Sequence, residues 1–266
     1  MEKNRRAFEL DALRGLALFM MILHHMIFDF RYVLAINVFV FQESIWFNDI
    51  VRPIFVGVFV VVSGICCQFS RNNLKRSVKL LLISLGFSAA MAIYSIISGN
   101  EYYVFINVLH LLTVGTFLYG LYALWEIKDA EKRKRKDPDA KLTSDRGEIV
   151  LLLFSVILIF SDQLINVYSL KIQSYWLLPL GFLPKDYIGM GDFLPMLPWL
   201  GFFFAGVIIS RIGYHSKKTI IPNSPRAVIQ ISQPFEFMGR NSLLIYLVHQ
   251  PVLLAILYGL RYLGVW

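Results

Sequence analysis

The chain has 266 residues, of which 57% are hydrophobic, 15% aromatic and only 17% charged, with a mean hydropathy of +0.59. Soluble domains are nearer a quarter charged, so this composition excludes an ordinary water-soluble enzyme and indicates a multi-pass membrane protein. The net charge of +8 fits a nucleic-acid partner by magnitude, but its placement argues otherwise.

Apolar runs separated by short basic loops predict seven spans, at 10–30, 51–70, 77–98, 104–125, 148–168, 192–211 and 241–262. With the N-terminus inside, all but five of the 26 Lys and Arg residues fall on the inner side; Arg31, Arg52, Lys171, Lys185 and Arg261 fall outside. Most of the basic charge therefore sets orientation. The expected fold is all-α: one polytopic helical membrane bundle over 1–266, with a cytoplasmic N-terminus and an outer C-terminus.

The start, MEKNRR, is basic, but the apolar run behind it is too long for a cleaved leader and lacks a small-residue cleavage site. Residues 13–30, LRGLALFMMILHHMIFDF, carry an arginine, two histidines and an aspartate where ionisable groups are costly. At about 100° per residue, Asp11, Arg14, His25 and Asp29 share one stripe, and His24 lies well off it. Arg14 and His25 are about 16 Å apart along the axis and serve opposite ends of the bundle. Asp29, one helical turn after His25, would hold the imidazole tautomer of a general base. The alternative is that the two solvate each other at the outer interface.

In the second span, Ser63-Gly64 is expected to serve close helix packing. Cys66 and Cys67 are adjacent and form neither a disulfide framework nor a metal motif. SRNNLKRSVK then brings Arg71, Lys75 and Arg76 to the inner face, with Arg14 and, from GRNS, Arg240 and Asn241. Such groups suit phosphates; the alternative is orientation charge with lipid headgroups, and helix capping by Asn241 and Ser242. His110 lies in FINVLHLL, near the outer start of the fourth span.

Residues 126–148 read as a solvated, partly helical cytoplasmic loop. Residues 174–185 are apolar but too short to span, and predict an interfacial or re-entrant outer segment. Pro195 and Pro198 open the sixth span. No inverted repeat is visible, which argues against a transporter. On the last span Ser242, Tyr246 and His249 share a face. His25, His110 and His249 are thus expected at similar outer depth around a polar cavity, with His215 in a loop. No short metal-ligand spacing occurs, so no metal is expected.

DALRGLALFMMILHH, FVGVFVVVSG with SRNNLKR, NVLHLL, LPWLGFFFAG and GRNSLLIYLVHQP, in this order, resemble the heparan-alpha-glucosaminide N-acetyltransferase catalytic-domain-like family of transmembrane acyltransferases. The Arg14-to-His25 spacing also resembles the acyltransferase type-three family, in which that Arg and His are functional. Related sequences often carry Asp where this chain has His24, so either Asp29 or His24 takes that place. The resemblance implies acetyl-CoA as donor and co-substrate at the cytoplasmic side, and a sugar amine or hydroxyl acceptor on the other face. On this reading Arg14, Arg71, Lys75, Arg76, Arg240 and Asn241 hold CoA, while His25, oriented by Asp29, is the base or the acyl carrier. His110, His249 or Tyr246 would stabilise the oxyanion or position the acceptor, with Ser242 beside them. Membrane lipids are further partners, a homodimer is left open, and the expected location is a bacterial cytoplasmic membrane. The rivals are a non-catalytic carrier or flippase for a lipid-linked sugar, and a membrane partner subunit with structural histidines.

Overall fold

The computed structural model describes residues 7–99, 103–135, 144–168, 175–183, 192–214 and 217–264; His215 lies outside them. Among the described residues the chain is all-helical, with no β-strand. Its helices are α1 (Phe8–Phe28), α2 (Arg52–Cys67), α3 (Asn73–Ser98), α4 (Val108–Lys134), α5 (Asp145–Tyr168), α6 (Trp199–Gly213), α7 (Arg226–Arg240) and α8 (Ser242–Tyr262). Among the described residues, five segments are long and apolar enough to cross a membrane: Phe8–Val33, Phe47–Cys67, Asn73–Ile97, Val108–Lys134 and Ser242–Tyr262. The other two expected spans coincide with α5 and with α6, which is apolar but only 15 residues long.

The chain divides into two compact units, Met1–Val62 with Ser216–Trp266, and Ser63–His215. In the first, α1 packs along α7, and glycines set how close they come. A Cβ on Gly15 would collide with the Phe235 carbonyl, and one on Gly239 with the Asp11 carbonyl. Phe19 and Phe235 meet edge to face beside this contact. Glu9 ties the start of α1 to the segment before α7, accepting from the Thr219 hydroxyl at 2.8 Å and the Ile220 amide at 3.0 Å. Sequence reading placed 211–240 in an inner loop; α7 is a helix there because it is amphipathic rather than apolar. It buries Ser232, Glu236 and Gly239 and leaves Val228, Ile231 and Phe237 exposed, so no hydropathy average reveals it.

In the second unit, α3 packs on α4 and α5 on α6. Gly64, at the end of α2, lies against the Phe203 carbonyl with no room for a Cβ, and Gly115 faces the Phe203 ring. Gly64 is thus a packing residue, as its small-residue context predicts. The Ser155 hydroxyl donates to the Gly201 carbonyl at 2.9 Å, tying α5 to α6. α4 runs on to Lys134, supported by an Arg133–Asp129 pair at 2.9 Å one turn apart, and α5 opens at Asp145. The charged stretch is therefore helical on both flanks, with 136–143 outside the described residues. Of the proposed outer segment, Tyr175–Leu180 forms a short 3-10 turn containing Pro179. Pro198 precedes the first turn of α6, so that helix starts later than the 192 expected.

Candidate active site

The first unit gathers three histidines. His24 and His25 come from the C-terminal third of α1, and His249 comes from α8. The His25 and His249 ring centroids lie 5.0 Å apart, and those of His24 and His25 5.7 Å. His25 has no hydrogen-bond partner among the described residues, so both of its ring nitrogens are uncommitted.

Its neighbours are fixed. His249 Nδ1 lies 2.6 Å from the Tyr246 carbonyl, which only accepts, so Nδ1 carries the hydrogen. In the neutral ring the lone pair then sits on Nε2. Tyr246 is buried, and its ring packs 5.6 Å from that of His249. Gln42 Nε2 lies 3.2 Å from His24 Nδ1 and donates to the His24 carbonyl at 3.4 Å. Because that amide nitrogen is a donor, His24 Nδ1 accepts and the His24 hydrogen sits on Nε2. His24 also packs on Phe47 at 5.8 Å.

Gln42 arrives on a strap, residues 34–51, that follows a π-helical turn at Asp29–Val33. The strap carries two non-glycine residues in the left-handed region, Ala35 at φ 56° and Phe39 at φ 55°. Such positions persist only where surrounding contacts hold them. Arg31 supplies several, pairing with Glu43 and donating to the Val38 carbonyl at 3.1 Å; the Tyr32 hydroxyl adds a bond to Glu43 at 3.0 Å. Asn48 donates to the Gln42 carbonyl at 2.9 Å.

Asp29 is fully buried and does not hydrogen-bond His25. Both of its carboxylate oxygens accept from Gln250 Nε2 on α8, at 2.8 and 3.0 Å. The π-helical turn explains the miss: it widens the backbone where Asp29 sits, so a regular i, i+4 wheel misplaces the carboxylate. Sequence reading passed over both Gln250 and Gln42. Gln250 stood beside His249 in the HQP run, but glutamine in a helix carries no signature of its own. Gln42 lay in a stretch assigned to no element.

His110 belongs to the second unit. Its Nδ1 donates to Asn107 Oδ1 at 3.0 Å, and the same oxygen caps α4 by accepting from the Leu109 amide at 3.0 Å. This ring is held by the cap of its own helix.

The basic residues differ in how far they are committed. In the first unit Arg240 pairs with Asp11 at 3.2 Å and Glu236 at 2.9 Å, and Glu236 also accepts from Ser232 at 2.7 Å. Arg240 is therefore balanced by two carboxylates. Arg14 is not: its Nε and Nη2 are buried with no hydrogen-bond partner among the described residues. Asn241 donates to the Phe237 carbonyl at 2.9 Å, capping the end of α7, and Ser242 opens α8 without a side-chain cap. In the second unit Arg71 and Lys75 are exposed. Arg76 turns inward, donating to the Cys66 carbonyl at 3.4 Å and to Cys67 Sγ at 3.7 Å. Arg211, expected only as orientation charge, is buried there against Glu126 and lies 5.7 Å over the Tyr122 ring.

Among the described residues no group of three or more His, Cys, Asp or Glu is placed to hold a metal ion. Helices of membrane length and no strand among the described residues define a helical membrane protein, with three histidine rings side by side in its first unit. Residues 6–129 and 141–251 match the family model described as heparan-alpha-glucosaminide N-acetyltransferase, catalytic. That match covers most of the chain, which belongs to this family of membrane acetyltransferases. No curated protein and no solved structure matches it.

Proposed function

We propose that the chain moves an acetyl group from cytoplasmic acetyl-CoA to an amine or hydroxyl of a sugar on the opposite face of a bacterial cytoplasmic membrane. Family membership supports the acetyl chemistry. The basic asymmetry of the sequence supports a cytoplasmic N-terminus, which sets Arg14 on the donor side and the histidine row on the acceptor side.

The observation that carries the site is the uncommitted His25 ring, packed against a neighbour of fixed tautomer. The acceptor attacks the thioester carbonyl, its new bond to the acetyl carbon forms, and the carbon–sulfur bond breaks. His25 takes the proton that the acceptor loses and returns it to the departing CoA thiolate. In the two-step variant His25 attacks the thioester carbonyl and the carbon–sulfur bond breaks as CoA leaves. The acceptor then attacks the acetyl-imidazole, and the acetyl–nitrogen bond breaks as the acceptor loses its proton. His249, with a hydrogen on Nδ1 and its ring beside that of His25, positions the acceptor. Arg14, with buried donors to spare, is suited to a CoA phosphate. Arg71, Lys75 and Arg76 supply further cytoplasmic charge.

The test is acetyl-CoA turnover by the purified protein in nanodiscs with a panel of amino sugars and glycans, wild type beside His25→Ala. Acceptor-dependent thiol release that disappears in the variant is the expected result. Release that persists in His25→Ala overturns the assignment of the base. Absence of acetyl-CoA binding by the wild type overturns the reaction and favours the carrier.

A further inference from the structure

We infer that the carboxamide oxygens of Gln42 and Gln250 form the acceptor-binding subsite, built to receive hydrogen bonds from the hydroxyl or ammonium groups of a sugar. The inference rests on the reading above and names what recognises the acceptor.

Both side chains have their orientation fixed by partners that only accept. Gln42 must turn its N–H groups to the His24 carbonyl, and Gln250 must turn its own to the Asp29 carboxylate. Each amide therefore points its oxygen away from its anchor. Both oxygens, Gln42 Oε1 and Gln250 Oε1, are buried and have no hydrogen-bond partner among the described residues. Gln42 is only 5% exposed, so its oxygen is far from bulk water. A buried carbonyl without a donor is costly and is retained where a ligand supplies one.

Their placement adds the specificity. Gln42 bonds His24 at one end of the histidine row, and Gln250 bonds Asp29, one turn beyond His25 on the same segment. Two acceptor oxygens complement a ligand rich in N–H and O–H. A site that hydrogen-bonds a ligand's donor also rejects analogues lacking it, because its own polar atoms are then left unpaired.

The experiment measures KM for methyl α-glucosaminide and for acetyl-CoA in nanodiscs, with wild type, Gln42→Met and Gln42→Glu. Binding of the glucosaminide alone is followed by calorimetry, and thermal unfolding checks the fold. Gln42→Met should raise the glucosaminide KM about tenfold, the worth of roughly one hydrogen bond, and leave acetyl-CoA unchanged. Gln42→Glu loses the anchor N–H and buries a carboxylate against the His24 carbonyl, so it should lower the unfolding midpoint and raise the glucosaminide KM beyond the Gln42→Met value. If the residue served only to hold the strap, the acetyl-CoA KM would rise together with that of the glucosaminide in both variants. Equal glucosaminide KM in wild type and Gln42→Met, or a parallel rise of both KM values, overturns this inference while acetyl transfer by the wild type stands. A wild type that binds glucosaminide without turnover overturns the acetyltransferase reading and leaves the subsite. One that neither binds nor acetylates it overturns both.

Discussion

Replacing Gly239 by alanine should damage the first unit out of proportion to the single methyl group added. The new Cβ would collide with the Asp11 carbonyl oxygen, with that residue's carbonyl carbon 2.7 Å and its Cα 3.1 Å away. These are backbone atoms of α1, fixed by its own hydrogen bonds, so relief requires α1 and α7 to separate. Overpacking of this kind costs about 1–3 kcal/mol. A matched control exists within the same chain: Gly86, in α3, has nothing within 4 Å of its Cβ position. Gly86→Ala should instead stabilise by about 0.5–1 kcal/mol, the ordinary helix preference for alanine over glycine. The two substitutions are chemically identical and opposite in expected sign. Unfolding midpoints in one detergent, read by intrinsic fluorescence, measure both. If Gly239→Ala unfolds at or above the wild-type midpoint, α1 and α7 do not meet as closely as their glycines indicate. His25 lies on α1, so separation of these helices should lower acetyl transfer as well.

Glu126→Gln should destabilise by about 3–5 kcal/mol, because it leaves the Arg211 guanidinium buried without its counter-charge. Adding Arg211→Met should restore most of that loss; denaturant titration of the single and double variants checks it, and an additive double variant would refute it. Arg14→Met removes two buried donors that have no partner, so its unfolding midpoint should equal or exceed the wild type's. The same variant should bind acetyl-CoA about tenfold more weakly or worse, measured by calorimetry. A loss of stability with unchanged affinity would make Arg14 structural.

The apolar runs made the fold class legible, because membrane-length hydrophobicity is a property of composition over many residues. α7 was illegible for the same reason: a 15-residue amphipathic helix averages to a loop, and its partner face shows only once α1 is in place. Within the site, the helical wheel put His25 with the polar stripe but dismissed His24, whose anchor Gln42 comes from an irregular strap no periodicity describes. The His25–Asp29 pair followed from regular helix geometry, and a π-helical turn at Asp29 breaks that regularity. Arg240 and Arg14 looked equivalent as basic residues at one membrane face. Only tertiary contacts distinguish them, by giving Arg240 two carboxylates.

That difference generalises within the first unit. Polar groups with their full set of partners hold the fold: Asp11 and Glu236 fix Arg240 at the junction of α1 with α7, and Glu9 fixes the segment before α7. Groups with capacity to spare are few among the described residues, and they differ in chemistry as a transfer reaction requires. Arg14 offers positive donors toward an anionic donor substrate, His25 an uncommitted imidazole, and Gln42 and Gln250 acceptor oxygens. Arg211 in the second unit also has spare donors, at Nε and Nη1, but it lies over the Tyr122 ring, whose π-face takes part of the charge. Arg14 has no such substitute, and keeping its buried donors unpaired costs stability that binding an anionic substrate would return. Acetyl-CoA should therefore raise the unfolding midpoint of the wild type by more than that of Arg14→Met.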